Sequence, residues 1–419
     1  MPEQRNIVIL GGSVSGLQSA HYILKHLLPS LNAKHEAQYH VFLINPSPDY
    51  YFRIAAPRTA VSTSRLPAEK IFFDIEEAFK KYPSNNFTFL QGAATGLDTT
   101  ARTITYKRSE YLGDEQLSYH ALIVATGSRT FEPAFSQPTD KLTTLNAIKS
   151  LNTKLSTAKD VVVVGGGPTG VEVAAEIGEL LNGKPGWFST PEKKANITLI
   201  TAANHLLHTL SPSRGKEAEI KLKRLGVDVL YNTRVADTTA TKDGRTVVTL
   251  GKGEKLEVDV YVAAHGVLPN SSFIPSPLLD ANGYVKTNPQ TLRVDEAGAR
   301  VYAIGDVASY SRNTILDVYD SFPVAMVNLK RDLFSYNPAN PNKKPSGKDR
   351  HFTPNKKEMM IVPVGSAGGV GALFGWRAPN WLVWLAKSRD FMVGIGPGPV
   401  ISGDKVKKEV AWTKEEAVA

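Results

Sequence analysis

The 419-residue chain contains no cysteine. Disulfide staples, zinc–thiolate and iron–sulfur sites and any cysteine-based redox relay are therefore excluded, and redox chemistry here would have to run on a bound cofactor. Acidic side chains are the scarcer charge. There are 40 of them against 49 basic ones, and the resulting +9 at pH 7 attracts anions such as phosphates, nucleotides or acidic lipid headgroups without choosing among them. A leader is not expected either. Met1-Pro2-Glu3-Gln4-Arg5 enters an apolar strand at once, and no glycine follows the methionine, so neither a signal peptide nor a myristoyl anchor is expected. With 42% apolar and 21% charged residues, the composition is globular rather than disordered or polytopic. The expectation is a cytoplasmic protein, at most peripheral to a membrane. At roughly 150 residues per domain, the length corresponds to about three compact units, or two with a large insertion.

What is present is a repeated grammar. Residues 6–10 form a short apolar run ending in Gly11-Gly12, residues 13 to 28 carry apolar positions at helical spacing, and 40–44 reads as a second buried strand. This is the βαβ unit of the mononucleotide-binding half of a doubly wound sheet. The order recurs with a strand at 160–164, the turn Gly165-Gly166-Gly167-Pro168-Thr169-Gly170, a helix over 171–181 and a strand at 196–200. Further buried strands are expected at 121–125, leading into Thr126-Gly127, at 259–264, and at 300–304, ending in Gly305-Asp306. Residues 337–350, rich in Pro, Asn and Lys, read as a solvated linker before a small C-terminal unit. The expected class is α/β, with two Rossmann-like dinucleotide-binding domains and a small α+β C-terminal domain.

A glycine-rich strand-to-helix turn lets the backbone approach a pyrophosphate, and the following helix offers unpaired N–H groups and its positive dipole end. Gly165, Gly167 and Gly170 keep the full spacing in that context, which makes them, with Pro168 and Thr169, candidate dinucleotide-binding residues; the alternative is a purely structural turn. In the first motif Ser13 takes the middle position between Gly11 and Gly16. Its Cβ loosens the approach, while its hydroxyl can donate to phosphate. The residue ending the second strand of each unit reads the ribose, an acidic one binding the 2′-hydroxyl. Asn45 stands there in the first unit and can bond a ribose without charge. Thr201 stands there in the second, with no carboxylate to repel a 2′-phosphate. His205, His208, Arg214 and Lys216 nearby either receive such a phosphate or are the solvated start of a helix, so NADPH is permitted beside NADH.

Two such units, the Ala125-Thr126-Gly127 turn between them and the late Ala303-Ile304-Gly305-Asp306 strand end resemble the two-dinucleotide-domain flavoprotein reductases. Ala55-Ala56-Pro57-Arg58, Gly369-Val370-Gly371 and Ala386-Lys387-Ser388-Arg389-Asp390-Phe391-Met392 look like the apoptosis-inducing-factor-2 (AMID-like) branch. That branch includes the ferroptosis suppressor protein, its fungal relatives and, more distantly, type II NADH dehydrogenases. The resemblance covers nearly all of residues 5–400. It implies an FAD domain of 1–130 plus 271–335, an NAD(P)H domain of 131–270 and a C-terminal domain of 336–419. It also implies that Gly11, Gly12, Ser13, Ser15 and Gly16 cradle the FAD pyrophosphate, joined by Arg58, Thr126, Gly127 and Asp306. Glu172, read as lying in the first turn of the second helix, matches the family glutamate near flavin and nicotinamide; the bland alternative is a favourable charge at a helix start. Glu176, one turn on, reads as structural. His265 replaces the usual threonine before Gly266, close to the nicotinamide half, and is either a proton donor to a reduced product or a structural histidine at a strand end.

Residues 359–376 carry no charge, and Trp376, Trp381 and Trp384 cluster just beyond. Eighteen uncharged residues would reach the threshold for a spanning helix, but Pro363 and the glycines at 365, 368, 369 and 371 break it. Two readings stand: a strand-and-turn unit over the flavin followed by a short helix near 380–387, or a monotopic surface dipping Trp and Leu into a membrane. The expected activity is hydride transfer from NAD(P)H to FAD, then electron transfer to a quinone or other small aromatic acceptor, in general or in a specialised pathway. The alternative is a redox-sensing flavoprotein with slow turnover. Monomer or homodimer is expected, with no nucleic-acid partner, since the basic residues are dispersed.

Overall fold

The computed structural model describes residues 3–108, 112–137, 139–186 and 189–418, so Met1 and Pro2 of the quoted start lie outside them. Strand β1 (Glu3–Leu10) feeds helix α1 (Val14–Tyr22), which continues through a π-helical turn before β2 (Ala37–Asn45). There follow α2 (Ala56–Val61), β3 (Phe87–Gln91), β4 (Ala121–Val124) and α3 (Lys141–Leu155). The second unit runs β5 (Asp160–Val164), α4 (Pro168–Leu181), β6 (Asn196–Ile200), α5 (Pro212–Arg224), β7 (Val227–Leu230) and β8 (Val260–Ala263). Next come β9 (Val301–Ala303) and the long α6 (Ile315–Phe334). The C-terminal unit holds β10 (Met360–Pro363), β11 (Gly369–Leu373), β12 (Trp376–Arg377) and α7 (Asn380–Val383).

Two parallel sheets carry the chain, in the orders β9-β4-β1-β2-β3 and β7-β6-β5-β8. Each is packed on both faces, by helices on one and by a three-stranded antiparallel sheet on the other, Leu97 and Ile104 lying against the first and Val248 and Leu250 against the second, which is why the strands read as unbroken apolar runs rather than alternating ones. Val161, Val162, Val163 and Val164 are all buried, each such side chain contributing about 1.5–3 kcal/mol. Strand β9 returns to the first sheet, pairing Val301 with Leu122, so that sheet is assembled from both sides of the second unit. A short ladder pairs the way into that unit with the way out, Ser128 opposite Pro269 and Arg129 opposite Leu268. One core cluster joins Leu17 and Val41 of the first unit, Val163 and Ile177 of the second, and Val362 and Val370 of the C-terminal sheet.

Two features differ from the sequence reading. Helix α4 begins at Pro168, not 171, because proline is well placed at a first helical position, where its missing N–H is no loss. Glu172 therefore sits one turn inside the helix, and no acidic residue occupies its first turn. The 337–350 segment is exposed over most of its length, as expected of a linker, but it is not free. Its end is docked, with Lys348 N–H donating to Glu415 O and Arg350 pairing with Glu416 at 2.6 Å. The C-terminal tail is thereby tied back onto the segment.

Candidate active site

Both glycine turns are built alike. A Cβ at Gly11 would stand 2.3 Å from Ala125 O, and one at Gly165 would stand 2.3 Å from Ala264 O. At Gly16 and Gly170 it would stand 1.8 Å from the carbonyl oxygens of Gly11 and Gly165. Helix-on-strand packing alone demands glycine at these four positions. Gly11 and Gly165 also hold φ +109° and +129°, a region L-residues rarely enter. Gly167 is different, since nothing lies within 4 Å of its would-be Cβ. Neither Ser13 nor Gly167 caps its helix through a side chain, so the first N–H groups of α1 and α4 have no side-chain acceptor there. Ser13, at the start of α1, is exposed, and half-buried Pro168 and Thr169 begin α4. The oxygens of a pyrophosphate fit both helix starts.

Asp306, at the end of β9, comes to the same cradle: the adjoining Gly305 sits so close to Ser15 that a Cβ there would be 2.6 Å from the serine Oγ. Its Oδ2 accepts from Ser128 Oγ at 3.0 Å and lies 3.6 Å from Arg53 Nη1. Arg53 also donates to Ser128 O at 3.1 Å. Thr126 Oγ1 donates to Asn270 O at 2.7 Å while Asn270 Nδ2 donates to Thr126 O at 2.9 Å, and Gly127 turns at φ +64° with open space around it. Asn45, expected at the ribose, spends both amide functions on the protein. Its Oδ1 accepts from Gly12 N–H at 2.7 Å and its Nδ2 donates to Ser47 O at 2.7 Å.

Arg58 departs most from expectation. Instead of facing the cradle it is buried, donating to both carboxylate oxygens of Glu176 (3.0 and 2.8 Å) and to Ser388 O (2.8 Å), over the ring of Phe391. The arginine beside Asp306 is Arg53, which the sequence reading passed over. Glu176 is fully buried, as a structural residue would be, and Arg65 adds a second ion pair at 2.9 Å.

Glu172, Glu176 and Glu179 line one face of α4 at i, i+4 and i+7. Each meets a group from another unit. Lys387 Nζ donates to Glu172 Oε1 at 2.5 Å. Glu179 takes Arg65 at 3.1 Å and both the N–H and hydroxyl of Ser366 at 2.6 Å. Burial raises the Glu172 carboxyl above its ordinary range, opposed by the Lys387 ammonium. Lys387 was visible in the quoted C-terminal motif, but nothing local indicates a partner 215 residues away.

His265 and Gly266 occupy in the second unit the place of Thr126 and Gly127, with Gly266 at φ +62°. The imidazole stacks on Phe131, centroids 5.1 Å apart, and burial lowers its pKa. It is therefore neutral near pH 7, able to offer an N–H but holding little imidazolium to give away. Thr201 is buried. Its Oγ1 accepts from Ala203 N–H at 3.2 Å, and a Cβ at Gly166 would stand 2.5 Å from it. Of the cations named for a 2′-phosphate, Arg214 and Lys216 are tied to Glu217 (3.0 Å) and Glu219 (2.9 Å), His205 bonds Asn204 (2.7 Å) and His208 is exposed.

A family model of pyridine nucleotide-disulphide oxidoreductases matches residues 5–327. The chain belongs to that family. It is 39% identical over 405 residues to oxidoreductase phnG of Penicillium herquei, covering 94% of this chain and 95% of that one. Ferroptosis suppressor protein 1 of Mus musculus is 27% identical over 399 residues, covering 93% and 94%, which fits the AMID-like branch. Among solved structures, NDH2 of Plasmodium falciparum in complex with RYL-552 shares the fold over 97% of both chains, with a TM-score of 0.69 at 16% identity. This is an FAD-dependent NAD(P)H oxidoreductase, and the two cradles fit the two dinucleotides: Gly11 to Gly16 with Asp306 would hold FAD, and Gly165 to Gly170 would hold NADH or NADPH.

Proposed function

We propose that this family member passes electrons from the flavin directly to a quinone or other small aromatic acceptor. What carries the reading is the absence of cysteine from the whole sequence. With no dithiol to relay electrons, the acceptor has to meet the flavin itself. FAD, when bound, supplies the chemistry of accepting hydride and releasing electrons, and the protein supplies binding, orientation and electrostatics. The balance is NAD(P)H plus a proton plus quinone giving NAD(P)+ and quinol. The chain's own parts in this are distinct. The open turn at Gly167 seats the nicotinamide dinucleotide, Arg53 and Ser128 fix Asp306, and Lys387 holds a proton against Glu172 Oε1 at the junction of the three units.

Steady-state oxidation of NADH and NADPH with a soluble quinone tests the proposal. Rapid turnover supports it. A reduced flavin that persists in the presence of quinone would favour the slow redox sensor instead.

A further inference from the structure

The outward side of the C-terminal unit has the chemistry of a lipid-facing surface. The turn between β11 and β12 carries Phe374 and leads into Trp376 at the start of β12, 60% and 81% exposed. Phe374 holds its place there at φ +52°, outside the region bulky residues favour. Beyond it, Trp381, Trp384 and Leu385 fall at i, i+3 and i+4 on one helical face. They are 64%, 42% and 46% exposed, whereas Val383 and Ser388 on the other side are buried. An amphipathic helix normally turns its apolar side to the core; here it turns that side to solvent.

Cations flank this apolar face. The last turn of α5 holds Lys221, Lys223 and Arg224, and exposed Ile220 lines an open depression of about 510 Å³ with Lys221, Arg224 and Arg377. Lys221 Nζ donates to Asn380 Oδ1 at 2.9 Å, which fastens the basic helix to the start of α7. Of the nearby carboxylates, Glu217 is paired with Arg214 and Arg377 and Glu219 with Lys216 and Lys223, while Glu358 is tied by its backbone to Gly375 of the aromatic turn; the cations outnumber them. Among the described residues no helix is long and apolar enough to cross a membrane.

We propose that this face docks on an anionic lipid surface, with the aromatic side chains entering the headgroup region and the α5 cations and Arg377 over the lipid phosphates. A second copy of the chain would bring the same sign of charge to the contact. The proposal stands apart from the choice of acceptor. It also has a consequence for the site, because the helical turn that presents Trp384 and Leu385 outward sends Lys387 inward to Glu172 and Ser388 O to Arg58.

The test is co-sedimentation of the flavin-loaded protein with phosphatidylcholine vesicles, with and without phosphatidylserine, together with tryptophan emission. Binding is expected only to the phosphatidylserine vesicles, with a blue shift, and it should weaken as salt rises. Lys223→Gln and Arg377→Gln should each lower partitioning about fivefold. The Trp381→Ser/Trp384→Ser double variant should abolish it while the flavin spectrum and melting temperature stay unchanged. Trp376→Ser, just past the separate turn, gives a second variant that disturbs little packing. Failure to bind either vesicle, or binding that both tryptophan variants leave intact, overturns the proposal. So does a dimer in sedimentation velocity that the same variants split, since that would assign the face to a second copy.

Discussion

At Glu172, burial and charge oppose each other. Burial favours the neutral acid and Lys387 favours the carboxylate, with a raised pKa as the outcome. The folded state then holds this proton more tightly than the unfolded state does, so its contribution to stability is full below the ordinary carboxylate pKa and is lost as pH rises through the raised value. Glu172→Gln should remove that slope, read as urea midpoints across the acidic pH range. A slope that persists would mean other groups produce it. Thr201 offers a second test at this scale. Thr201→Asp places a carboxylate where a 2′-phosphate would lie, and NADPH use should fall about tenfold relative to NADH. An unchanged ratio of kcat/KM values would show that this position does not read the ribose. Both positions were legible in the sequence because each follows from its distance to a glycine turn. The partner of Glu172 was not, since Lys387 reaches it only through tertiary packing.

Among the elements, the second glycine turn separates what the fold needs from what a ligand needs. Gly170→Ala drives a methyl into Gly165 O and should cost about 3 kcal/mol of stability. Gly167 has a φ of −77°, which alanine adopts freely, and open space about its Cα. Gly167→Ala should therefore leave the melting temperature near the parent value while raising KM for the nicotinamide nucleotide roughly tenfold. The α2–α4 contact makes the opposite case. Arg58→Ala leaves Glu176 buried with its best partner gone, and a loss of about 3–5 kcal/mol is expected in urea unfolding. Strand positions such as Asp160–Val164 and Asn196–Ile200 were readable to the residue, because parallel strands covered on both faces write themselves as apolar runs. Arg58 was misplaced for the converse reason. A motif fixes where an arginine lies in the chain, whereas its direction depends on Glu176, 118 residues away, and on the backbone at Ser388.

Across the whole molecule, three units close around α4. The first contributes Arg58 and Arg65, the second the glutamate face, and the C-terminal unit Lys387 and Ser366. The duplication of the βαβ unit announced two nucleotide sites from the sequence alone. The junction between them did not show, since charged residues at helical spacing read as a solvated face until the facing arginines are in place. The most direct measurement is anaerobic stopped-flow mixing of the flavin-loaded protein with NADH and NADPH in turn, followed by a quinone, while flavin absorbance is recorded. Bleaching by at least one nucleotide and recovery of the yellow oxidised spectrum on adding quinone without oxygen are expected. A flavin that neither nucleotide reduces, or one that stays bleached in the presence of quinone, would contradict direct transfer from nicotinamide through flavin to acceptor.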